Sequence, residues 1–153
     1  VKDGILRDLM YDSMTAAKYG RELTPHTGGS ASIVMQPGSA DPDLLAAVKG
    51  MGRVIYIPAL HYLNMPNASQ GIFTGSSRFN AVLIENGKVV SPIFSSRITD
   101  SFQNVFGNVS LISSEAEPVN LSNTYGRRMP EAASMPSYIV AEKVKITDSA
   151  DSF

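Results

Sequence analysis

Two histidines, His26 and His61, are the only imidazoles among 153 residues, and there is no cysteine. A hydrolytic zinc centre needs three protein ligands and an open fourth position, commonly with two histidines at helical spacing and an acid to serve as base. Each histidine here stands alone in a polar stretch. Surface or hydrogen-bonding roles are therefore preferred for both, and no metal ligand is assigned. The absence of thiols also removes disulfides and cysteine nucleophiles and points to a reducing, cytoplasmic setting. Gly75-Ser76-Ser77 lacks the closing glycine of a nucleophile elbow, so a serine hydrolase is not supported. Gly28-Gly29-Ser30 could turn backbone N–H groups toward an anion, but no Walker lysine follows and an ordinary turn is the simpler reading. Arg127-Arg128 could grip a carboxylate with paired N–H donors, although adjacent loop arginines are more often solvated. No catalytic residue can be named.

Thirteen Lys and Arg against fourteen Asp and Glu leave a formal charge of -1, with no basic run to neutralise phosphates, so nucleic acid is not an expected partner. No apolar run approaches the roughly 20 residues that span a bilayer, and no membrane partner is expected. The length suits one domain over residues 1–153, able to bury about two thirds of its unfolded surface. The opening VKDGIL has no initiator methionine and carries ordered-looking sequence from the start, which reads as a fragment of a larger protein.

The elements that would carry these groups are mostly strands. Asp3 to Asp12 reads as a strand rising from an Asp3-Gly4 turn, and Ser13 as the cap of a helix through Lys18 ended by Gly20. After the turn-rich Thr24–Ser30 segment, Ile33 to Met35 reads as a buried strand. Asp41 and Pro42 predict a helix running to Gly50, followed by a strand from Val54 to Ile57. Pro58 to Gly71, with His61, Asn64 and Asn67, reads as a polar functional loop. Phe79 to Ile84 and Val89 to Phe94 read as a hairpin, since Asn86-Gly87 suits a type I′ turn. Asp100 would cap a short helix through Phe106, and Val109 to Ile112 another strand. Glu115 to Met135 reads as a long connection, Ser137 to Ile146 as the last strand, and the polar residues after Thr147 as a frayed tail. The fold class is thus mainly β with short helices, α+β, and largely antiparallel. An exposed strand edge in such a fold could hold a peptide through backbone hydrogen bonds.

The order VKDGIL, Thr24-Pro25-His26-Thr27-Gly28-Gly29-Ser30, PGSADPDLL, GIFTG, IENGKVVSPI and PSYIVAEKVKI resembles the C-terminal domain of the TldD/PmbA family, named as modulators of DNA gyrase and regarded as zinc-dependent peptidases. The resemblance covers nearly the whole chain. It implies a protein with an α+β N-terminal portion and a β-rich C-terminal domain, forming dimers around a chamber that admits unfolded peptides. In the TldD branch, zinc is held by an H-E-x-x-x-H helix upstream and by a cysteine that would correspond to the region Glu115 to Met135. This chain has neither, and Ile72 stands where the family commonly has an acid. The resemblance is therefore nearer to the PmbA (TldE) branch. It implies a TldD-like partner subunit or a homodimer, zinc in the catalytic subunit rather than here, and chamber-lining or peptide-binding positions at His26, Gly28, Gly29, His61, Asn64 and Asn67. Two other readings stay open: a domain of an active metallopeptidase whose ligands come from an N-terminal part or a partner, and a peptide-binding module without hydrolysis.

Overall fold

Asn86 and Gly87 both take positive φ, 49° and 76°, as a type I′ turn requires. They join β5 (Val82–Glu85) to β6 (Lys88–Pro92) in the expected hairpin. In this computed structural model residues 1–24, 32–77, 80–120 and 132–150 are described. By their contacts the residues fall into two units, Val1–Met35 with Pro118–Ser134, and Gln36–Glu117 with Met135–Phe153.

The first unit holds α1 (Ser13–Tyr19) and β1 (Ser32–Val34). Asp12, not Ser13, is the N-cap of α1: its carboxylate accepts from the Thr15 backbone while the Thr15 hydroxyl accepts from the Asp12 N–H. The Thr15 backbone N–H, together with the Thr15 hydroxyl that lies 2.7 Å from the same carboxylate oxygen, holds the Asp12 carboxyl below the usual range. Gly20 closes the helix in the left-handed conformation, as expected. The predicted strand from Asp3 to Asp12 does not form. Asp3 and Gly4 do turn the chain, but they close a single bridge between Lys2 and Ile5 and no strand follows. β1 runs parallel with β10 (Ala132–Pro136), and β9 (Ala116–Asn120) lies on the other side of β10. The long connection predicted for Glu115 to Met135 therefore contains two strands. Each is short and rich in Ala, Ser, Pro or Glu, so neither shows the β-branched alternation that marks a strand in sequence.

The second unit begins with α2 (Leu44–Ala47), shorter than predicted. Its N-cap is Asp43, while Asp41, two residues earlier, accepts from the Asp43 N–H. β2 (Arg53–Tyr56) then pairs with β5 in a sheet ordered β2-β5-β6. Val48 and Ile84 are fully buried and, with Val140, form the core against which Leu44, Met51, Val54, Val82, Leu111 and Tyr138 pack.

A second sheet carries β3 (Leu60–Asn67), β4 (Ile72–Ser77), β7 (Phe94–Ser101) and β12 (Ile146–Ala150), ordered β12-β7-β4-β3 with antiparallel pairing throughout. The segment read as a functional loop from Pro58 to Gly71 is thus mostly an edge strand. Its register slips between His61 and Asn64 and again between Asn64 and Asn67, and Tyr62 adopts φ 50°. Bulges of this kind destroy the two-residue alternation by which a strand is recognised. Pro66 is tolerated because the strand lies at the sheet edge. β12 likewise overturns the frayed tail predicted after Thr147.

α3 (Phe102–Gly107) follows β7, capped by Ser101 and not Asp100, and Phe102 stacks on the buried Phe73 with ring centroids 4.7 Å apart. β8 (Val109–Ile112), formed as predicted, pairs with β11 (Ile139–Ala141). The single strand predicted from Ser137 to Ile146 is therefore split into β11 and β12. Asp100 supplies the reason. Buried at 5 % exposure, its carboxylate accepts from the N–H of Ser101, from the Asn104 side chain and from the N–H of Lys145. Asn104 also donates to the carbonyl of Lys143, which has φ 57°. The turn between β11 and β12 is gathered onto one carboxylate.

Desolvation alone would raise the Asp100 pKa, but the Lys145 N–H, the Asn104 amide, the Ser101 N–H and the Lys145 charge outweigh it and hold the group below the ordinary carboxylate range. A group depressed in the folded state binds fewer protons than its unfolded counterpart, so its stabilisation is complete above the unfolded pKa of about 3.9 and is lost as pH falls through the folded value. Thermal melts between pH 6 and pH 2 should show a loss of stability beginning near pH 4, and the Asp100→Asn variant should lose the Asp100 share of that slope. An unchanged slope would remove Asp100 from the account.

Candidate functional site

The register shifts that hid β3 in sequence also gather three predicted site residues. His61 stands opposite Ser76, Asn64 opposite Thr74 and Asn67 opposite Ile72. Positions 72, 74 and 76 alternate along β4 with the buried Phe73, Gly75 and Ser77, so the three β3 residues share the outer face of the sheet. Each bulge sets three residues against two, which returns the side chain at every third position to the same side. The opposite face carries Leu60 and Leu63, which crowd Gly75 so closely that a Cβ there would lie 3.1 Å from Leu60 and 3.3 Å from Leu63. The other predicted site residues, His26, Gly28 and Gly29, lie outside the described residues.

Sequence reading missed the residues that complete this face. Arg97 on β7 lies opposite Ser76, and its guanidinium donates to the Thr74 hydroxyl at 3.2 Å. The Thr74 and Thr99 hydroxyls are 2.9 Å apart across the same strand pair. The arginine is therefore laid over β4 toward the edge strand, its head steered by a threonine pair. Its signal in sequence was slight, a lone cation in a polar run, and only the pairing of β4 with β7 brings it near Asn64. His61 and Asn64 are exposed, and Arg97, Thr74, Thr99 and Ser76 are half-buried. The acidic position in register with Arg97 is Asp148 on β12.

The same unit has an apolar groove of about 900 Å³ whose lining includes Leu44, Met51, Val54, Phe73, Ile98 and Val140. Tyr138, also on its wall, donates its phenol O–H to the Asp41 carbonyl. Desolvation, with the charges of Asp41 and Asp43, pushes that phenol above its ordinary pKa, so it stays protonated as a donor. The groove suits the burial of apolar surface.

Among the described residues no three His, Cys, Asp or Glu side chains come together as a metal site. His61 has Ser76 as its cross-strand neighbour in the register of β3 and β4.

The sequence profile of the PmbA/TldA metallopeptidase C-terminal domain matches residues 1–148. The chain belongs to this family. Among solved structures it is similar to TldE from Thermococcus kodakarensis, with TM-score 0.66 and 22% identity over 91% of this chain and 31% of that one. It is also similar to a candidate modulator of a DNA gyrase from Thermotoga maritima, with TM-score 0.69 and 19% identity over 96% of this chain and 32% of that one. At such identities the likeness concerns the fold, and the family domain spans about a third of those structures' length. No curated protein matches the chain. Among the described residues no helix is long and apolar enough to cross a membrane.

Proposed function

We propose that this chain is the C-terminal domain of a PmbA-like subunit in a cytoplasmic peptidase assembly acting on unfolded peptides. It would offer subunit-contact surface and part of the peptide path, with zinc and the bond-breaking step in a TldD-like partner. The observation that carries this reading is family membership combined with a β3 edge strand whose outer face carries His61, Asn64 and Asn67. An edge strand has backbone N–H and C=O groups that an extended peptide can pair with regardless of its side chains, which suits unfolded substrates of varied sequence.

Exposed apolar side chains support the subunit-contact part. Leu6, Leu9, Met10 and Met14 of the first unit are 53 to 78% exposed. Such a run offers apolar surface that a partner subunit would cover.

The test is to incubate the protein with an unfolded peptide and zinc, with and without a TldD-type partner, and follow cleavage by mass spectrometry. Cleavage that requires the partner is the expected result. Cleavage by the protein alone would instead favour an active metallopeptidase with ligands outside this domain, and binding without cleavage in both arms would favour a plain peptide-binding module.

A further inference from the structure

Asn86 is the only asparagine in the sequence that glycine follows. The pair makes the hairpin turn, and it also carries a reaction. The deprotonated backbone nitrogen of the next residue can attack an asparagine side-chain amide, and only glycine puts no Cβ in the way of that approach. At every other asparagine the next residue is Met, Ala, Val, Leu or Thr. Asn86 is exposed at the tip between β5 and β6, and among the described residues none holds its side-chain amide in a hydrogen bond.

The backbone of the tip is held at three points. The Asn86 N–H donates to the Gly52 carbonyl at 2.8 Å, and Glu85 pairs with Lys88 across the turn. Gly87 lies so close to α2 and the residues after it that an added Cβ would stand 2.6 Å from the Leu45 carbonyl oxygen and 3.2 Å from the Lys49 Cα. Ring closure needs the peptide plane between Asn86 and Gly87 to swing out of the turn conformation. The three contacts oppose that swing, so the reaction waits on local opening of the tip.

We propose that Asn86 is a self-modification site: it deamidates through a cyclic imide at a rate set by opening of the hairpin tip, and the isoaspartyl product undoes the turn. The bond from the Gly87 nitrogen to the Asn86 Cγ forms as the bond from Cγ to Nδ2 breaks. The side-chain nitrogen leaves as ammonia, taking the proton of the Gly87 N–H. Water then opens the imide at one carbonyl or the other, giving aspartate or isoaspartate. No oxidant, reductant or further reactant is consumed. In isoaspartate the main chain runs through Cβ and Cγ and is longer by one methylene. A two-residue turn has no room for it, so the register of β5 on β6 is lost next to Ile84. Ile84 is buried in the core with Val48 and Val140, and damage at the tip therefore reaches the core.

The test holds the intact protein at mildly alkaline pH, with and without denaturing urea, and reads its tryptic peptides by mass spectrometry for conversion of amide to acid at each asparagine. Position 86 should convert first in both samples, and roughly tenfold more slowly in the folded protein than in urea, as a tip that opens locally dictates. Gly52→Ala strains the positive-φ residue whose carbonyl holds Asn86, and it should narrow that gap without changing the rate in urea. The separated isoaspartyl protein should unfold at a lower urea midpoint, while Asn86→Asp, which suits the same turn, keeps the wild-type midpoint. Earlier conversion of another asparagine in the folded protein, or none at 86 long after the unfolded chain has reacted, would overturn the site. Equal rates in the two samples, or a gap unaltered by Gly52→Ala, would overturn its control by the tip. An isoaspartyl form as stable as the wild type would overturn the loss of the turn.

Discussion

Replacing Gly38 by alanine should destabilise the protein by about 3 kcal/mol, the upper end of the usual cost of overpacking. A Cβ at residue 38 would lie 2.5 Å from the carbonyl oxygen of Ile112 and 2.7 Å from its Cβ. The nearest obstacle is backbone, so no rotamer change relieves it. The segment must move off β8, and that movement strains a set of bonds: Gly38 N–H to the Ser113 carbonyl at 2.8 Å, Ala40 N–H to the Ile112 carbonyl at 3.0 Å, and Ser114 N–H to the Ala40 carbonyl at 2.9 Å. Ser113 is fully buried, and solvent cannot readily replace those partners. Gly107→Ala is the matched control, because nothing lies within 4 Å of its added Cβ. The control should change stability by no more than a few tenths of a kcal/mol to about 1 kcal/mol, in the stabilising direction, since alanine favours a helix. Urea titrations of the two variants decide the matter, and equal midpoints would refute the steric account.

The second large effect belongs to Asp100. Asp100→Ala should cost about 3 kcal/mol, because it strands three part-buried donors at once, two at the start of α3 and one at the turn into β12. The Lys145 N–H would lose its acceptor at the turn into β12, the Ser101 N–H at the start of α3, and the Asn104 amide one of its two. Asp100→Asn keeps the shape and one acceptor oxygen but presents an NH2 group to a donor, so its loss should be intermediate. Amide hydrogen exchange should localise the damage. Protection is expected to fall first at Lys145 and through β12, with β2, β5 and β6 unaffected. Uniform loss over the unit would mean that Asp100 does not hold the turn specifically. If the alanine variant is too unstable to purify, the asparagine variant carries the same comparison.

These two sites differ in how far sequence could have revealed them. Gly38 followed Pro37 and was legible as a turn, but its need to be glycine comes from Ile112, some seventy positions away. Asp100 was read as a helix cap, a local role that suits its residue type. Ser101 takes that role, and Asp100 faces inward to collect N–H groups from Ser101 and Lys145, the second of them forty-five residues distant. Local rules favour the nearest vacant donor, and a buried carboxylate answers to whatever the fold brings close.

Where patterns were local, they were read correctly. Gly20 ending α1, the Asn86-Gly87 hairpin, β8 and the strand-rich class each follow from backbone preferences that neighbours in sequence suffice to express. The ordered motifs from VKDGIL to PSYIVAEKVKI also led to the family whose profile matches residues 1–148.

The four-stranded sheet was mostly out of reach. β4 contains Gly75 and two serines, β3 slips register twice, and β12 follows a turn held by a distant carboxylate, so none shows regular alternation. The grouping of His61, Asn64 and Asn67 on one face, and the arrival of Arg97 beside them, depend on that pairing. Residue type and turn chemistry are properties of a few adjacent peptide units, and sequence carries them directly. Which strand lies beside which, and which side of it faces water, is set by hydrogen bonds and burial between segments far apart along the chain, and only the folded structure decides it.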